Sequence, residues 1–118
     1  MTNKKIWLFD TTLRDGLETR GFDFSRTDKI ATARALDKID IDYIEAGWSG
    51  ANITDDAFFG KPPKLKNAKL VSFGTTRCGG RSVANDLGLN PVIDAELGDG
   101  IIWKLQYKKV VGPKSKLA

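Results

Sequence analysis

An apolar run near the start of the chain ends in a cluster of polar side chains. Leu8 to Gly16 has the sequence LFDTTLRDG, so Arg14 and Asp15 stand side by side just after the apolar residues. A carboxylate there can bind a divalent cation, and a guanidinium can hold a carboxylate or polarise a carbonyl group. The alternative is an exposed Arg–Asp pair in a loop, which contributes little to stability. Spacing alone leaves both interpretations open.

These side chains must be positioned by the segments around them, and short apolar runs predict four strands. The first run, at residues 5–9, is wholly apolar after its lysine, which is typical of a strand buried on both faces. Three later apolar runs predict the other strands, at residues 43–47, 70–74 and 100–103. Each of these runs has a glycine at one end.

Helices are predicted between these strands. Ser25 is the expected N-cap of a helix from Arg26 to about Lys38, and Asp28 stands at the third position, as in a capping box. Its apolar face consists of Ile30, Ala33, Leu36 and Ile39. We also expect a short helix in residues 52–59 opened by Thr54, and partial helix in 82–97 with its main segment starting at Pro91. Residues 105–111 could form either a helix or a strand.

The alternation of strand and helix predicts an α/β fold with a parallel sheet. A dinucleotide-binding sheet should carry a G-x-G-x-x-G turn after its first strand, and Asp10–Gly16 has no such turn. Polar groups at the carboxyl ends of successive strands are typical of a (β/α)8 barrel. We therefore expect a partial TIM barrel of about four βα units in residues 1–103, followed by a basic tail in 104–118.

Composition limits the functional classes. Of 118 residues, 41% are hydrophobic and 29% are charged, which is ordinary for a globular domain. No apolar run approaches the roughly 20 residues of a membrane span, and residues 1–10 do not resemble a secretory signal. The single cysteine, Cys78, cannot form an internal disulfide, and we interpret it as incidental. A cytoplasmic protein without a membrane partner is expected.

Charge is distributed unevenly along the chain. Residues 1–60 carry 8 Lys and Arg against 11 Asp and Glu (−3), whereas residues 61–118 carry 11 against 4 (+7). The tail from Lys104 onward contains five lysines and no acid, but it has no clustered arginines and no repeated aromatic stacking platform. A solvated basic end is therefore favoured over a nucleic-acid partner.

Three stretches of the sequence closely resemble the citramalate synthase family. They are LFDTTLRDG, DFSRTDKIATARALD and DYIEAGWSGANITDDAFF, and the similarity continues to about Glu96. That family is grouped with isopropylmalate and homocitrate synthases and with hydroxymethylglutaryl-CoA lyase, which share a metal-dependent TIM barrel. The resemblance implies condensation of acetyl-CoA with a 2-oxo acid, pyruvate for citramalate, in isoleucine or leucine biosynthesis.

The resemblance also implies roles for individual residues. Asp15 matches the acid that binds the divalent metal (Mg, Mn or Zn), and Arg14 matches the arginine that stabilises charge developing on the keto oxygen. Glu45 matches an acid near the substrate, although hydrogen bonding alone could explain an acid at that position. Glu18 stands where the family usually has Gln, and Asp40 stands where a Gly commonly ends the first helix.

The family completes its metal site with two histidines of a late strand, and this sequence contains no histidine. The catalytic glutamate of the family is not identifiable either, and the loop before Trp103 is shortened. We therefore expect the N-terminal portion of the enzyme, which holds the metal poorly and does not turn over alone. A non-catalytic remnant or interaction module is the alternative, as is an isopropylmalate synthase, homocitrate synthase or lyase. An exposed barrel edge would favour self-association into a homo-oligomer.

Overall fold

A computed structural model of the chain describes residues 4–74, 79–86, 90–94 and 102–104. Strands and helices alternate within these ranges. They are β1 (Phe9–Asp10), α1 (Arg26–Lys38), β2 (Tyr43–Trp48), α2 (Ile53–Gly60), β3 (Lys69–Gly74), α3 (Asn90–Asp94) and β4 (Ile102–Lys104), with 3-10 turns at Gly16–Glu18 and Val83–Asn85. In the described part of the chain, no helix has the length and apolar character needed to cross a membrane.

The four strands form one parallel sheet in the order β1-β2-β3-β4. Phe9 pairs with Tyr43, Tyr43 pairs with Lys69, and Ser72 pairs with Ile102. The register between β2 and β3 shifts between Glu45 and Gly47. The expected α/β class with a parallel sheet is confirmed, and the carboxyl ends of β1, β2 and β3 lie along one edge.

Helix α1 has the predicted bounds and the predicted start. Ser25 accepts a hydrogen bond from the Asp28 amide, and the Asp28 carboxylate accepts one from the Ser25 amide in return. The backbone amide and the hydroxyl of Ser25 lower the pKa of Asp28. Two orphan amides of the first turn are thus satisfied locally, which is why the start could be predicted from four residues.

The predicted apolar face of α1 packs against the core except at its C-terminal end. Ala33 is fully buried, but Ile39 is 66% exposed. Lys29 and Asp37 are also buried, which was not predicted, because they lie four residues to either side of Ala33 on the same face. After the helix, Asp40 adopts a left-handed conformation with φ of 65°.

The first strand was predicted to be buried on both faces, and this prediction is wrong. β1 contains two residues, and the run before it is exposed, with Ile6 at 79% and Trp7 at 55%. Within the described residues β1 pairs with one strand, β2. An apolar run signals a need for burial, but the burial depends on what packs against it.

Later elements match the predictions to different degrees. α2 is capped by Asn52, whose side chain accepts the Asp55 amide, so Thr54 does not open it. The partial helix predicted in 82–97 is observed as Val83–Asn85 and Asn90–Asp94. β4 ends at Lys104, the first residue of the expected tail. Cys78, residues 105–111 and the rest of the tail lie outside the described residues.

The hydrophobic core lies between the sheet and the two longer helices. Its buried members come from the turn after β1, from α1, β2, α2 and β3: Leu13, Ala33, Ile44, Ala46, Phe58, Phe59 and Leu70. The Phe58 and Phe59 rings meet edge to face at 5.5 Å, so they pack against each other within this core.

Candidate active site

The polar residues after β1 fold into a tight turn. The Thr11 carbonyl accepts hydrogen bonds from the amides of Arg14, Asp15 and Gly16 at 3.2, 2.9 and 3.1 Å. The Asp10 carboxylate accepts the amide and the hydroxyl of Thr12 at 2.9 and 3.1 Å. Several hydroxyl and acid groups of the motif are therefore structural, because they satisfy the turn's own donors.

Leu13 anchors this turn in the core, with 1% of its surface exposed. The next residue, Arg14, consequently points along the carboxyl edge of the sheet, where its Nε donates to Oε1 of Glu45 in β2. Glu45 is almost completely buried, and only 15% of the Arg14 side chain is exposed. The structure thus brings together two residues that the sequence singled out separately.

Two further carboxylates contact Arg14 from the solvent side. Its Nη1 lies 3.4 Å from Oδ1 of Asp15 and 3.5 Å from Oε1 of Glu18. Burial alone would lower the pKa of Arg14. The hydrogen bond to Glu45 and the charges of Glu45, Glu18 and Asp15 raise this pKa by more, so the net shift is upward. The guanidinium therefore keeps its positive charge throughout the physiological pH range.

Two aromatic rings support the guanidinium. Its Cζ atom lies 4.3 Å from the centroid of the Phe73 ring, within cation–π range. Trp48 contacts Phe73 edge to face at 4.9 Å. Phe73 belongs to β3, so residues of three consecutive strands or strand ends fix the position of Arg14.

Asp15 and Glu18 are much more exposed than Glu45, with side chains 64% and 57% accessible. Asp15 could donate one oxygen ligand to a cation, but divalent metals need several. Nowhere in the described residues do three or more His, Cys, Asp or Glu side chains come together for a metal. The described residues therefore provide one candidate ligand and do not form a complete metal site.

A buried ion pair that was not predicted lies beside the site. The ammonium of Lys29 on α1 pairs with Oδ1 of Asp55 on α2, and Lys29 is completely buried. Oδ2 of Asp55 accepts the Trp48 amide at 2.9 Å and the Asn52 side chain at 3.0 Å. This carboxylate therefore fixes the backbone at the end of β2, where Trp48 contacts Phe73.

Gly47 permits this arrangement. A Cβ atom at Gly47 would lie 2.7 Å from the carboxyl carbon of Asp55, closer than a real contact allows. The absence of a side chain lets the carboxylate approach the strand backbone. The sequence signal that could have indicated this contact is a glycine near a strand end followed by an acid eight residues later.

A cavity of about 290 Å³ opens next to Arg14. Its walls combine charged groups with apolar side chains, among them Arg14, Glu18, Leu17, Phe22, Phe24 and Trp48. A fixed cation in a partly apolar cavity can bind a small anionic molecule and orient its carboxylate or carbonyl oxygen.

Comparisons with known proteins show the family of the chain. A sequence model of the HMGL-like family matches residues 5–84. The (R)-citramalate synthase of Aquifex aeolicus is 46% identical over 95 residues, which are 79% of this chain and 18% of that protein. The (R)-citramalate synthase of Sulfolobus acidocaldarius is 38% identical over 117 residues, 94% of this chain and 22% of that protein.

A probable 2-isopropylmalate synthase of Methanosarcina acetivorans is 39% identical over 79 residues, 67% of this chain and 14% of that protein. The chain thus spans between 14% and 22% of the length of these three relatives. The family match covers the turn with Arg14, the buried Glu45 and the Lys29–Asp55 pair. The chain belongs to the HMGL-like family.

Proposed function

We propose that this chain is the N-terminal portion of an acyltransferase that condenses acetyl-CoA with a 2-oxo acid. Pyruvate, which would give citramalate, is the favoured oxo acid, because the two relatives with the broader coverage are (R)-citramalate synthases. The sequential strand order without a reversal supports a proposed partial TIM barrel of the first four βα units. Such a reaction belongs to isoleucine or leucine biosynthesis.

The observation that carries the proposal is the fixed guanidinium of Arg14 at the carboxyl edge of the sheet. When the enolate carbon of acetyl-CoA bonds to the keto carbon, the keto oxygen gains negative charge. A cation held in place beforehand stabilises that oxygen without reorganising during the reaction. Glu45 and Phe73 hold the cation. Glu18 lines the same cavity and is proposed to accept a hydrogen bond from the substrate.

Asp15 is proposed as one ligand of the divalent metal that the family resemblance implies. That metal would hold the oxo acid by its carboxylate and keto oxygens. Because the described residues do not complete such a site, we assign no step of the reaction to this chain alone. We propose that the 118 residues do not turn over unless the rest of a barrel is supplied.

A chimaera tests this proposal. The 118-residue chain is compared with a protein in which its first 96 residues replace the matching part of the Aquifex aeolicus enzyme, by following free thiol released from acetyl-CoA. We expect release from the chimaera with pyruvate and Mg²⁺ or Mn²⁺, and none from the chain alone. In the chimaera, Arg14→Lys should lower kcat/KM by about 10²–10³.

Arg20→Lys is the matched control, since Arg20 is exposed and lies outside the site. It should leave activity within twofold of the parent. Release by the 118-residue chain alone would overturn the proposed inactivity. A folded chimaera that uses 2-oxoisovalerate in preference to pyruvate would support the second candidate, a 2-isopropylmalate synthase, which the Methanosarcina relative favours.

A further inference from the structure

A second cavity, of about 390 Å³, lies at the opposite edge of the sheet from Arg14. It is formed where α1 ends and where the segment before β3 begins. Its lining contains four cations, one acid and one amide: Arg34, Lys38, Lys64 and Lys66, with Asp37 and Asn67. None of these residues lines the cavity beside Arg14.

The four basic residues, called here the cation cluster, come from two separate segments. Arg34 and Lys38 are four residues apart and therefore share one face of α1. Lys64 and Lys66 approach from the connection between α2 and β3. None of the four takes part in an ion pair with any described residue.

Asp37, the single acid that lines the cavity, already accepts hydrogen bonds from three backbone amides. Oδ2 of Asp37 accepts the Lys66 amide at 2.7 Å, and Oδ1 accepts the amides of Asn67 and Ala68 at 2.9 and 2.7 Å. Asp37 is 7% exposed, so its carboxylate faces the backbone more than the cavity. These bonds also fix the backbone that carries Lys66, which limits the freedom of the cluster.

Four like charges around one cavity repel one another, and among the described lining residues the single carboxylate of Asp37 offsets only part of that charge. The helix end beside Arg34 and Lys38 carries partial negative charge and offsets part of their repulsion. Lys64 and Lys66 have no such helix end. An anion with several charges would relieve the repulsion more than a single dispersed counterion does.

We propose that the cation cluster binds a small molecule bearing a diphosphate group. The cavity volume is in the range of small-molecule sites. Lysine ammonium groups act as point charges toward phosphate oxygens, and the fork of Arg34 can bind two of those oxygens at once. This site is independent of the proposed condensation, because it shares no residue with the site around Arg14.

Inorganic pyrophosphate is the first probe. It is titrated into the ¹⁵N-labelled 118-residue chain at constant ionic strength, while the amides of Lys66, Asn67 and Ala68 are followed by NMR. We expect saturable shifts at these amides and at least tenfold weaker binding for the double variant Lys64→Gln/Lys66→Gln. The matched control, Lys4→Gln/Arg20→Gln, removes two exposed cations outside the cavity and should change affinity less than twofold.

Further arms decide the nature of the ligand. Lys64→Arg/Lys66→Arg keeps both charges and should bind pyrophosphate within threefold of the parent chain. ADP binding with similar affinity would identify an organic diphosphate, and pyrophosphate binding alone would identify the inorganic ion. Either result supports the proposal.

The proposal is overturned if the parent chain shows no saturable shift with pyrophosphate. It is equally overturned if sulfate at the same ionic strength produces the same shifts, if both Gln double variants weaken binding alike, or if only double-stranded DNA binds.

Discussion

The two edges of the sheet handle buried carboxylates in different ways. At the carboxyl edge, Glu45 and Asp55 pair with the cationic side chains of Arg14 and Lys29. At the amino edge, Asp37 is held by three backbone amides, and the nearby lysines and arginine form no ion pair with a described residue. One edge therefore fixes side chains, and the other fixes a loop.

This difference matches what each edge can do. A guanidinium held by a buried acid and an aromatic ring has one orientation, which suits a reaction that develops charge at one atom. Cations on a fixed loop keep their own side-chain freedom, which suits binding of a charged group without chemistry. The following variants test the comparison in order of expected effect.

Asp55→Asn should have the largest effect, a loss of about 3–5 kcal/mol in the free energy of unfolding, because it leaves Lys29 buried without its anion. Urea unfolding followed by circular dichroism measures this loss. Asp56→Asn is the control, since Asp56 is exposed and accepts a single hydrogen bond from a described residue, the Gly50 amide at 2.7 Å; it should cost about 1 kcal/mol. Equal losses in the two variants would contradict a special role for the buried pair.

Asp37→Asn should cost about 2 kcal/mol, since an amide cannot accept as well from three backbone donors. Burial raises the pKa of Asp37, but the amides of Ala68, Lys66 and Asn67 and the charge of Lys66 lower it more, so the net shift is downward. The stabilisation is therefore complete above the ordinary value of 3.8 and is lost as the pH falls toward the lowered pKa.

The measurement for Asp37 is the unfolding free energy of the parent chain and of Asp37→Asn between pH 2 and 7. The difference between them should shrink as the pH falls below about 4. A difference that stays constant over this range would show that the carboxylate charge is not what holds the loop.

Phe73→Leu should lower the free energy of unfolding by about 1.5 kcal/mol. It should also increase the mobility of the Arg14 guanidinium, because it removes the ring beside it. Phe59→Leu is a close match, since both rings are buried and each meets one neighbouring ring edge to face. We expect similar losses of stability, but a changed ¹⁵Nε resonance of Arg14 only in Phe73→Leu. The same Arg14 signal in both variants would remove Phe73 from the positioning of the guanidinium.

Asp40→Gly should have the smallest effect, a gain of about 0.5–1 kcal/mol, because glycine adopts positive φ without a steric penalty. A thermal melt should show a midpoint several degrees higher. Asp40→Ala should lower the midpoint, and a gain for alanine would show that charge near the helix end, not backbone conformation, limits stability here.

Local signals allowed the strongest sequence predictions. Ser25 and Asp28 set the start of α1 through contacts three residues apart, and the motif around Arg14 was found because it breaks an apolar run. The Arg14–Glu45 contact could not be predicted from spacing. It depends on β1 and β2 pairing in parallel at one particular register.

Residues whose environment comes from distant segments were either missed or predicted wrongly. A lysine beside the apolar face of a helix is normally solvated, and Lys29 is buried only because Asp55 supplies an anion from the next helix. The run at residues 5–9 has the composition of a buried strand, but its apolar side chains are exposed. Burial is a property of the assembled layers, so the composition of one segment does not determine it.

The buried acids also bear on how the chain folds. The contacts Arg14–Glu45, Lys29–Asp55 and Asp37–Ala68 join residues that are 31, 26 and 31 positions apart. Each distance is about one strand-plus-helix unit, and the entropy of closing a loop changes little over so narrow a range of lengths. No contact of the three requires the ends of the chain to meet first. Each strand-plus-helix unit can therefore pack against the preceding unit as it leaves the ribosome. The chain is thus suited to folding in sequential short steps during synthesis.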